Sequence, residues 1–291
     1  MIFYNTKEWL GIFRLHKADT FRKLIPLILA ISVYTAIVSY FEETFFHLSD
    51  SSPLKNITTM HSLVGFALSM LLVFRTNTAY DRWWEGRRLW GSLVNNSRNL
   101  ALKLAPFLEP YPEERAFFKS AISQYALELM THLRANATRL EMDEKPHPEI
   151  PNFDRLLHVP AQAAGLIIER VYKLRSKGIL SAEDVLLLNP ELTSFMEICG
   201  ACERIRNTPI PYSYSAFIKK FIFIYVITLP FGFSFTLSYL SVPVVALIFY
   251  ILASLELIAE EIEEPFGADM NDLPMPRLCH TIEKTVREIL A

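Results

Sequence analysis

The sequence is poor in the residues that define several protein classes. It contains only 9 glycines and 3 cysteines among 291 residues. Scarce glycine and the lack of a short repeat exclude collagen-like and solenoid architectures, and three cysteines are too few for a disulfide scaffold. The formal net charge is -2. Because the chain has no basic excess to neutralise phosphates, nucleic acid is excluded as its main partner.

Apolar residues, in contrast, make up 51% of the chain, and they concentrate in four runs. The runs cover about 24–41, 57–74, 221–240 and 242–259. Each approaches the roughly 20 residues that a helix needs to cross the hydrocarbon of a bilayer. We therefore predict four membrane helices, the last two forming a tight hairpin. The alternative is a soluble protein with four buried helices, but such helices rarely lack charge over so many residues.

The charges of the connecting segments predict the orientation of these helices. Basic residues dominate before the first run, after the second and before the third, whereas the segment after the first run is mostly acidic. The positive-inside rule then predicts a multi-pass membrane protein with both termini in the cytoplasm. The first apolar run begins only after Lys23 and is long enough to span, so we interpret it as a retained anchor.

Residues 75–220 and 260–291 are predicted to form a helical cytosolic part. Proline, capping and glycine signals place helices there, at about 112–139, 160–177, 181–188 and 190–207, with a polar, proline-rich loop at 141–151. The expected fold class is therefore all-α: a four-transmembrane-helix bundle continuous with a helical cytosolic region. We expect one channel domain over residues 1–291.

The strongest candidate for catalysis is the pair Cys199 and Cys202, which has the CxxC spacing of thiol redox centres and of half a zinc site. Cys279 is distant in sequence, and His158 or His280 would complete a metal site only if the fold brought them close. No HExxH, GxSxG, P-loop or GxGxxG motif is present. We therefore predict that the protein is not an enzyme and that the cysteines are structural. A membrane-bound thiol oxidoreductase is the alternative.

Within the second apolar run, Phe66, Met70 and Phe74 recur every four residues and so share one helix face. By itself this pattern fits lipid contact or helix packing equally well, because the whole run is apolar. Gly65 lies beside this face and permits a close approach of another helix.

Two further segments are more specific. Residues 74–91 read FRTNTAYDRWWEGRRLWG, with Arg82, Trp83 and Trp84 at the centre, and residues 263–272 read EEPFGADMND, with Pro265, Phe266 and Gly267. The first resembles the segment that follows the second membrane helix of bestrophins, and the second resembles the segment that follows their last membrane helix. The resemblance extends over nearly the whole chain, and both motifs stand beside the expected helices.

The resemblance implies a homopentameric channel of the inner (plasma) membrane. Its expected partners are other copies of the chain, membrane lipid and small inorganic ions. Phe66, Met70 and Phe74 match the hydrophobic pore neck of the family, with methionine replacing the more usual phenylalanine of the middle ring. Chloride and other small anions are the implied cargo, although the acidic residues from Glu256 onward leave open a vestibule that favours cations. Arg82, Trp83 and Trp84 are expected to pack between subunits. Spacing suggests a second constriction of the pore, on the cytosolic side, at residues 185–188. The residues of the suggested constriction are Val185, Leu186, Leu187 and Leu188.

The resemblance also implies a calcium clasp after the last membrane helix. Asp269 and Asp272 occupy its two acidic positions, while Glu261 and Glu264 replace amide side chains. Carboxylates bind calcium well, so a calcium ion is the one cofactor that the sequence suggests. A helix end disfavours negative charge, so something positive must offset the acidic cluster. Either a metal ion or arginines from a neighbouring subunit would serve.

Overall fold

The computed structural model describes residues 20–46, 57–134 and 147–291. Regular structure in these ranges is helical throughout. A π-helical turn, Glu42–Phe46, follows α1, and a 3-10 turn, Ser238–Leu240, follows α7. The α-helices are α1 (Thr20–Phe41), α2 (Ile57–Leu108), α3 (Pro112–Leu133), α4 (Val159–Ser176), α5 (Ala182–Asn207), α6 (Tyr212–Thr228), α7 (Pro230–Leu237), α8 (Ser241–Glu263) and α9 (Met275–Ile289).

The chain divides into two compact units. The apolar unit comprises the described residues of 2–82 together with Ile210–Glu263, and the charged unit comprises Trp83–Pro209 and Glu264–Ala291. Within the described residues, four helical segments are long and apolar enough to cross a membrane: Thr20–Thr44, Ile57–Leu108, Tyr212–Ser234 and Ser238–Glu263. The all-α class and the four membrane segments are thus confirmed. The expectation of one domain over residues 1–291 stays a prediction.

In the apolar unit, α1 and α6 both pack against α8. The core of this unit is formed by buried aliphatic residues from α1, α2, α6 and α8, among them Ile31, Leu68, Ile222 and Val245. Gly65 faces the side chain of Tyr225 so closely that a Cβ at residue 65 would lie 2.6 Å from the tyrosine hydroxyl. A small residue is required here, as is common where membrane helices approach closely.

In the charged unit, α3 packs against α4 and α9, and α4 packs against α5. The amphipathic helix α9 buries one stripe, formed by Met275, Cys279, Ile282 and Val286. Their spacing of three or four residues is that of one helix face. This stripe joins a larger core around Trp90, Tyr125 and Phe195.

Two predicted boundaries in the charged unit are wrong. We expected separate helices at 181–188 and 190–207, but α5 is continuous through Pro190. Proline disrupts helix hydrogen bonding, yet Leu188, Leu192 and Phe195 are all buried in the core, and tertiary packing overrides the local signal. Helix α3 ends at Leu133 rather than near 139. Residues 135–146, which include most of the predicted loop, lie outside the described residues.

The third apolar run also differs from the expected single helix over 221–240. Helix α6 begins earlier, at Tyr212, and α7 starts anew at Pro230 and gives way to the 3-10 turn. Proline at the first position of α7 cannot donate to the preceding turn, which explains the interruption. Ser238 has a φ of 51°, in the left-handed region, as suits the tight connection into α8.

Candidate pore face and its supporting charges

One side of α2 is buried in the apolar unit and the opposite side is open. At about 100° per residue, buried positions spaced three or four apart fall on one side of the helix: Leu68, Leu72, Arg75 and Ala79. Phe66, Met70 and Phe74 fall roughly opposite, and they are 69%, 44% and 56% exposed. Three large apolar side chains in register on an open face form a surface that requires a cover.

The most deeply buried charge on α2 is Arg75, which is 1% exposed. Its Nη2 donates to Glu263 Oε2 over 2.6 Å, and its Nε lies 3.6 Å from Glu256 Oε2. The carboxylate of Glu263 also accepts the backbone N–H of Ile210 at 2.7 Å. Glu263, at the end of α8, thereby binds both α2 and the segment just before α6 within the apolar unit.

The acidic end of α8 is neutralised by cations of the same chain. Glu261 pairs with Lys23 at 2.5 Å, and Glu260 pairs with Lys219 at 2.9 Å, in addition to the pair formed by Glu263 and Arg75. We expected a metal ion or arginines from a neighbouring subunit to supply this positive charge. For these three carboxylates that expectation is wrong, because α1, α2 and α6 of the chain itself bring a cation to each of them.

The two sequence motifs meet in the charged unit. The indole Nε1 of Trp83 donates to the carbonyl of Asn271 at 3.1 Å. A Cβ at Gly86 would lie 3.1 Å from the ring of Phe266 and 3.2 Å from Pro265, so the absent side chain lets Phe266 be buried there. Two segments about 180 to 190 positions apart in the sequence thus pack against each other.

Comparisons with known proteins agree with these motifs. The family model described as bacterial/fungal bestrophin protein matches residues 1–288. The chain belongs to the bacterial bestrophin family. A bestrophin homolog from Klebsiella pneumoniae, solved as a crystal structure, superposes with a TM-score of 0.80 at 26% identity, over 92% of this chain and 99% of that one. With its four apolar helical segments, this bestrophin is a multi-pass membrane protein.

Curated relatives of this bestrophin are named as channel-forming proteins. A voltage-dependent anion channel-forming protein of Nostoc sp. is 33% identical over 230 residues, covering 77% of this chain and 75% of the relative. Another, from Mesorhizobium japonicum, is 31% identical over 295 residues, covering 100% of this chain and 92% of the relative. The family is one of channel-forming proteins and not of enzymes.

The residues of the predicted calcium clasp fall in both units of the bestrophin chain. Asp269 and Asp272 belong to the charged unit, where Asp272 Oδ2 accepts the backbone N–H of Asp269 at 2.5 Å. The carboxylate of Asp272 also lies against Gly267, where a Cβ would be 2.5 Å from Oδ2. Glu264 is exposed in the same unit, and Glu261 of the apolar unit is already paired with Lys23. Calcium binding by these residues stays a prediction.

The four residues of the suggested cytosolic constriction differ in their burial. Val185 and Leu188 are buried in the core of the charged unit, whereas Leu186 and Leu187 are 73% and 66% exposed. A side chain enclosed by its own core is not available to line a pore. The prediction therefore narrows to Leu186 and Leu187, which the sequence could not separate from their neighbours.

The CxxC pair has the spacing of a redox centre but neither the exposure nor the lowered thiol pKa that such a centre needs. Cys199, Cys202 and Cys279 are free thiols, and all three are buried. Burial, with a contribution from the nearby charge of Glu203, raises the pKa of Cys199 to about 12, and burial likewise raises the pKa of Cys202. A reactive thiol needs the opposite shift. The buried thiols and the family together contradict the oxidoreductase alternative.

We expect replacement of both Cys199 and Cys202 by serine to leave ion currents unchanged, because neither side chain reaches a surface. In the unaltered protein at pH 8, the Cys199 thiol with its pKa of about 12 is ionised in roughly one molecule in ten thousand. Iodoacetamide should therefore label the native protein slowly and the denatured protein quickly, as mass spectrometry can follow. Loss of current in the double variant, with the protein still folded, would contradict this assignment.

Sequence reasoning missed the network centred on Arg75 and Glu263. A signal for it was available in the sequence. Arg75 directly follows one apolar run and Glu263 follows another, and each charge is costly to bury without a partner. Nothing in the sequence showed that the two would meet, because 188 residues separate them.

Proposed function

We propose that this bestrophin forms a homopentameric pore, with the face of α2 that carries Phe66, Met70 and Phe74 turned toward the shared axis. The chain is an anion channel-forming member of its family, as the relatives from Nostoc sp. and Mesorhizobium japonicum are named. What carries the proposal is the open face of α2, whose large apolar residues lie opposite the buried ones. Five copies on a closed symmetry axis would cover this face without leaving an edge.

A ring of such side chains has the physical properties of a gate. An apolar constriction of molecular width loses its water readily, and a dry constriction blocks ions. The edges of the Phe66 and Phe74 rings are electropositive, so they would favour anions while the pore is wet. Methionine at position 70 is flexible and would leave the middle ring less sharply defined than its two neighbours.

Two further elements fit the same assembly. Trp84 is exposed, next in sequence to Trp83, whose hydrogen bond to Asn271 is partly buried. Trp84 is therefore available to pack against a neighbouring subunit, as expected of the signature. Leu186 and Leu187 are exposed on α5 and would narrow the cytosolic end of the path. Both assignments need the pentamer, because in a single chain these residues have no apolar cover.

We also infer that both termini and the charged unit lie in the cytoplasm. The support is the excess of Lys and Arg in the segments next to the membrane helices, which the positive-inside rule places on that side. A reporter enzyme that is active only in the cytoplasm, fused after Ala291, should be active in whole cells.

The channel proposal is tested by assembly and current together. Native mass spectrometry of the purified protein should give five times the chain mass of 33.5 kDa. In a planar bilayer with asymmetric sodium chloride, the reversal potential should lie toward the chloride equilibrium potential. A monomer in mild detergent would refute the shared pore, and a reversal potential toward the sodium value would refute anion selectivity while leaving the pore intact.

A further inference from the structure

Three polar side chains from three different helical elements converge in the charged unit. His132 lies in the last turn of α3, His158 is the N-cap residue of α4, and Glu203 lies on α5. The Nε2 of His132 is 2.6 Å from Glu203 Oε1, and the Nε2 of His158 is 2.8 Å from the same oxygen. One candidate ligand atom from each residue lies within 4.8 Å of the others.

We propose that His132, His158 and Glu203 bind a divalent transition-metal ion of the zinc class. Two imidazole nitrogens and one carboxylate oxygen are a donor set that suits zinc and disfavours calcium or magnesium, which prefer oxygen alone. The three residues are partly exposed, so an ion can reach them and water can complete a fourth position. Neither the pore nor the clasp-like acidic residues use this cluster.

The distances are those of a hydrogen-bonded cluster that is close to coordination geometry. Ligand atoms around a tetrahedral zinc ion are about 3.3 Å apart, since zinc lies roughly 2.0–2.1 Å from each. The two imidazole–carboxylate distances, 2.6 Å and 2.8 Å, must therefore lengthen by roughly 0.7 Å and 0.5 Å. Rotation of side chains that are only partly buried provides such a movement. The hydrogen bonds from both imidazoles outweigh burial and lower the pKa of Glu203, so its carboxylate is charged near neutral pH.

Metal binding at this cluster has a structural consequence in α4. The Nδ1 of His158 accepts the backbone N–H of Ala161 at 3.1 Å, so the neutral ring carries its proton on Nε2. A metal ion at Nε2 moves the proton to Nδ1, which can then no longer accept. Coordination thus breaks the N-cap bond of α4 while it ties α3, α4 and α5 together.

The test is a titration of full-length, chelator-treated protein with Zn²⁺ by isothermal calorimetry. We expect saturable binding of one ion per chain, lost in the His132→Ala and His158→Ala variants. The decisive variant is Glu203→Gln, whose amide oxygen still accepts both hydrogen bonds but has no charge to offer a cation. This variant should elute from a size-exclusion column as the unaltered protein does, which shows that it folds. It should bind Zn²⁺ at least roughly tenfold more weakly.

Control variants separate this cluster from other metal ligands. His280→Ala removes a histidine that pairs with Glu283 elsewhere in the charged unit, and it should bind Zn²⁺ unchanged. The same holds for the Cys199→Ser/Cys202→Ser and the Asp269→Asn/Asp272→Asn double variants. Any of three results would overturn the proposal. These are binding that fails to saturate at millimolar Zn²⁺, a Glu203→Gln variant that binds Zn²⁺ as tightly as the unaltered protein, and a control variant that loses binding.

Hydrogen exchange supplies a second readout that a purely structural cluster would not produce. Addition of Zn²⁺ should speed exchange of the Ala161 amide, because its acceptor on His158 is lost, while His158→Ala should show the fast rate with or without metal. If the Ala161 amide of the zinc-loaded protein remained as protected as before, His158 would not be a ligand and the proposed site would be wrong.

Discussion

Replacement of Arg75 by alanine should be the most damaging single substitution in the apolar unit. It leaves the buried carboxylates of Glu256 and Glu263 without the guanidinium that lies 3.6 Å and 2.6 Å from them. Removing one partner of a buried ion pair costs about 3–5 kcal/mol, because the remaining charge stays buried and uncompensated. For a chain of this size, such a loss should lower the Tm by roughly 10 °C.

The matched control is Lys219→Ala. Lys219 also pairs with a glutamate of α8, Glu260, but both side chains are about half exposed, and exposed pairs contribute about 0–1 kcal/mol. Thermal unfolding in detergent, followed by light scattering or fluorescence, compares the two variants directly. Equal Tm values for the two variants would show that the Arg75 pair is as dispensable as a surface pair.

A second substitution should matter less for folding and more for function. Changing Phe66, Met70 and Phe74 to alanine removes three large apolar side chains from the open face of α2. Because none of these side chains belongs to the buried core of its own chain, the protein should still fold. In the pentamer the neck would widen and stay wet, so we expect single-channel conductance or open probability to rise at least about twofold.

The control for the neck variant is Leu29→Ala, which also trims an exposed apolar residue from a membrane helix, in this case α1. It should leave single-channel currents in planar bilayers unchanged. If the triple variant conducted like the unaltered channel, the proposed neck would not be the narrow part of the pore. If the Leu29 variant raised the current as much, the effect would be one of general loosening and not of the α2 face.

Several features were predictable from local sequence because their causes are local. Apolar runs long enough to cross a bilayer identified the four membrane segments. The capping signal at 181 predicted the start of α5, which is a capping box formed by Ser181 and Asp184. The same reasoning failed at Pro190, where burial of Leu188 and Leu192 holds one helix together. The sequence predicted that Phe66, Met70 and Phe74 share one face of α2. It did not predict that this face is the open one.

The sequence by itself determined the class of this protein: an all-helical, multi-pass membrane chain whose two motifs resemble those of bestrophins. These properties follow from hydrophobicity, charge and short motifs, which act over a few residues. Only the tertiary structure decided which side of α2 is buried, which lysines and arginine neutralise the end of α8, and that His132, His158 and Glu203 meet. Those results depend on contacts between residues up to 238 positions apart, and such pairings are set by the packing of whole helices.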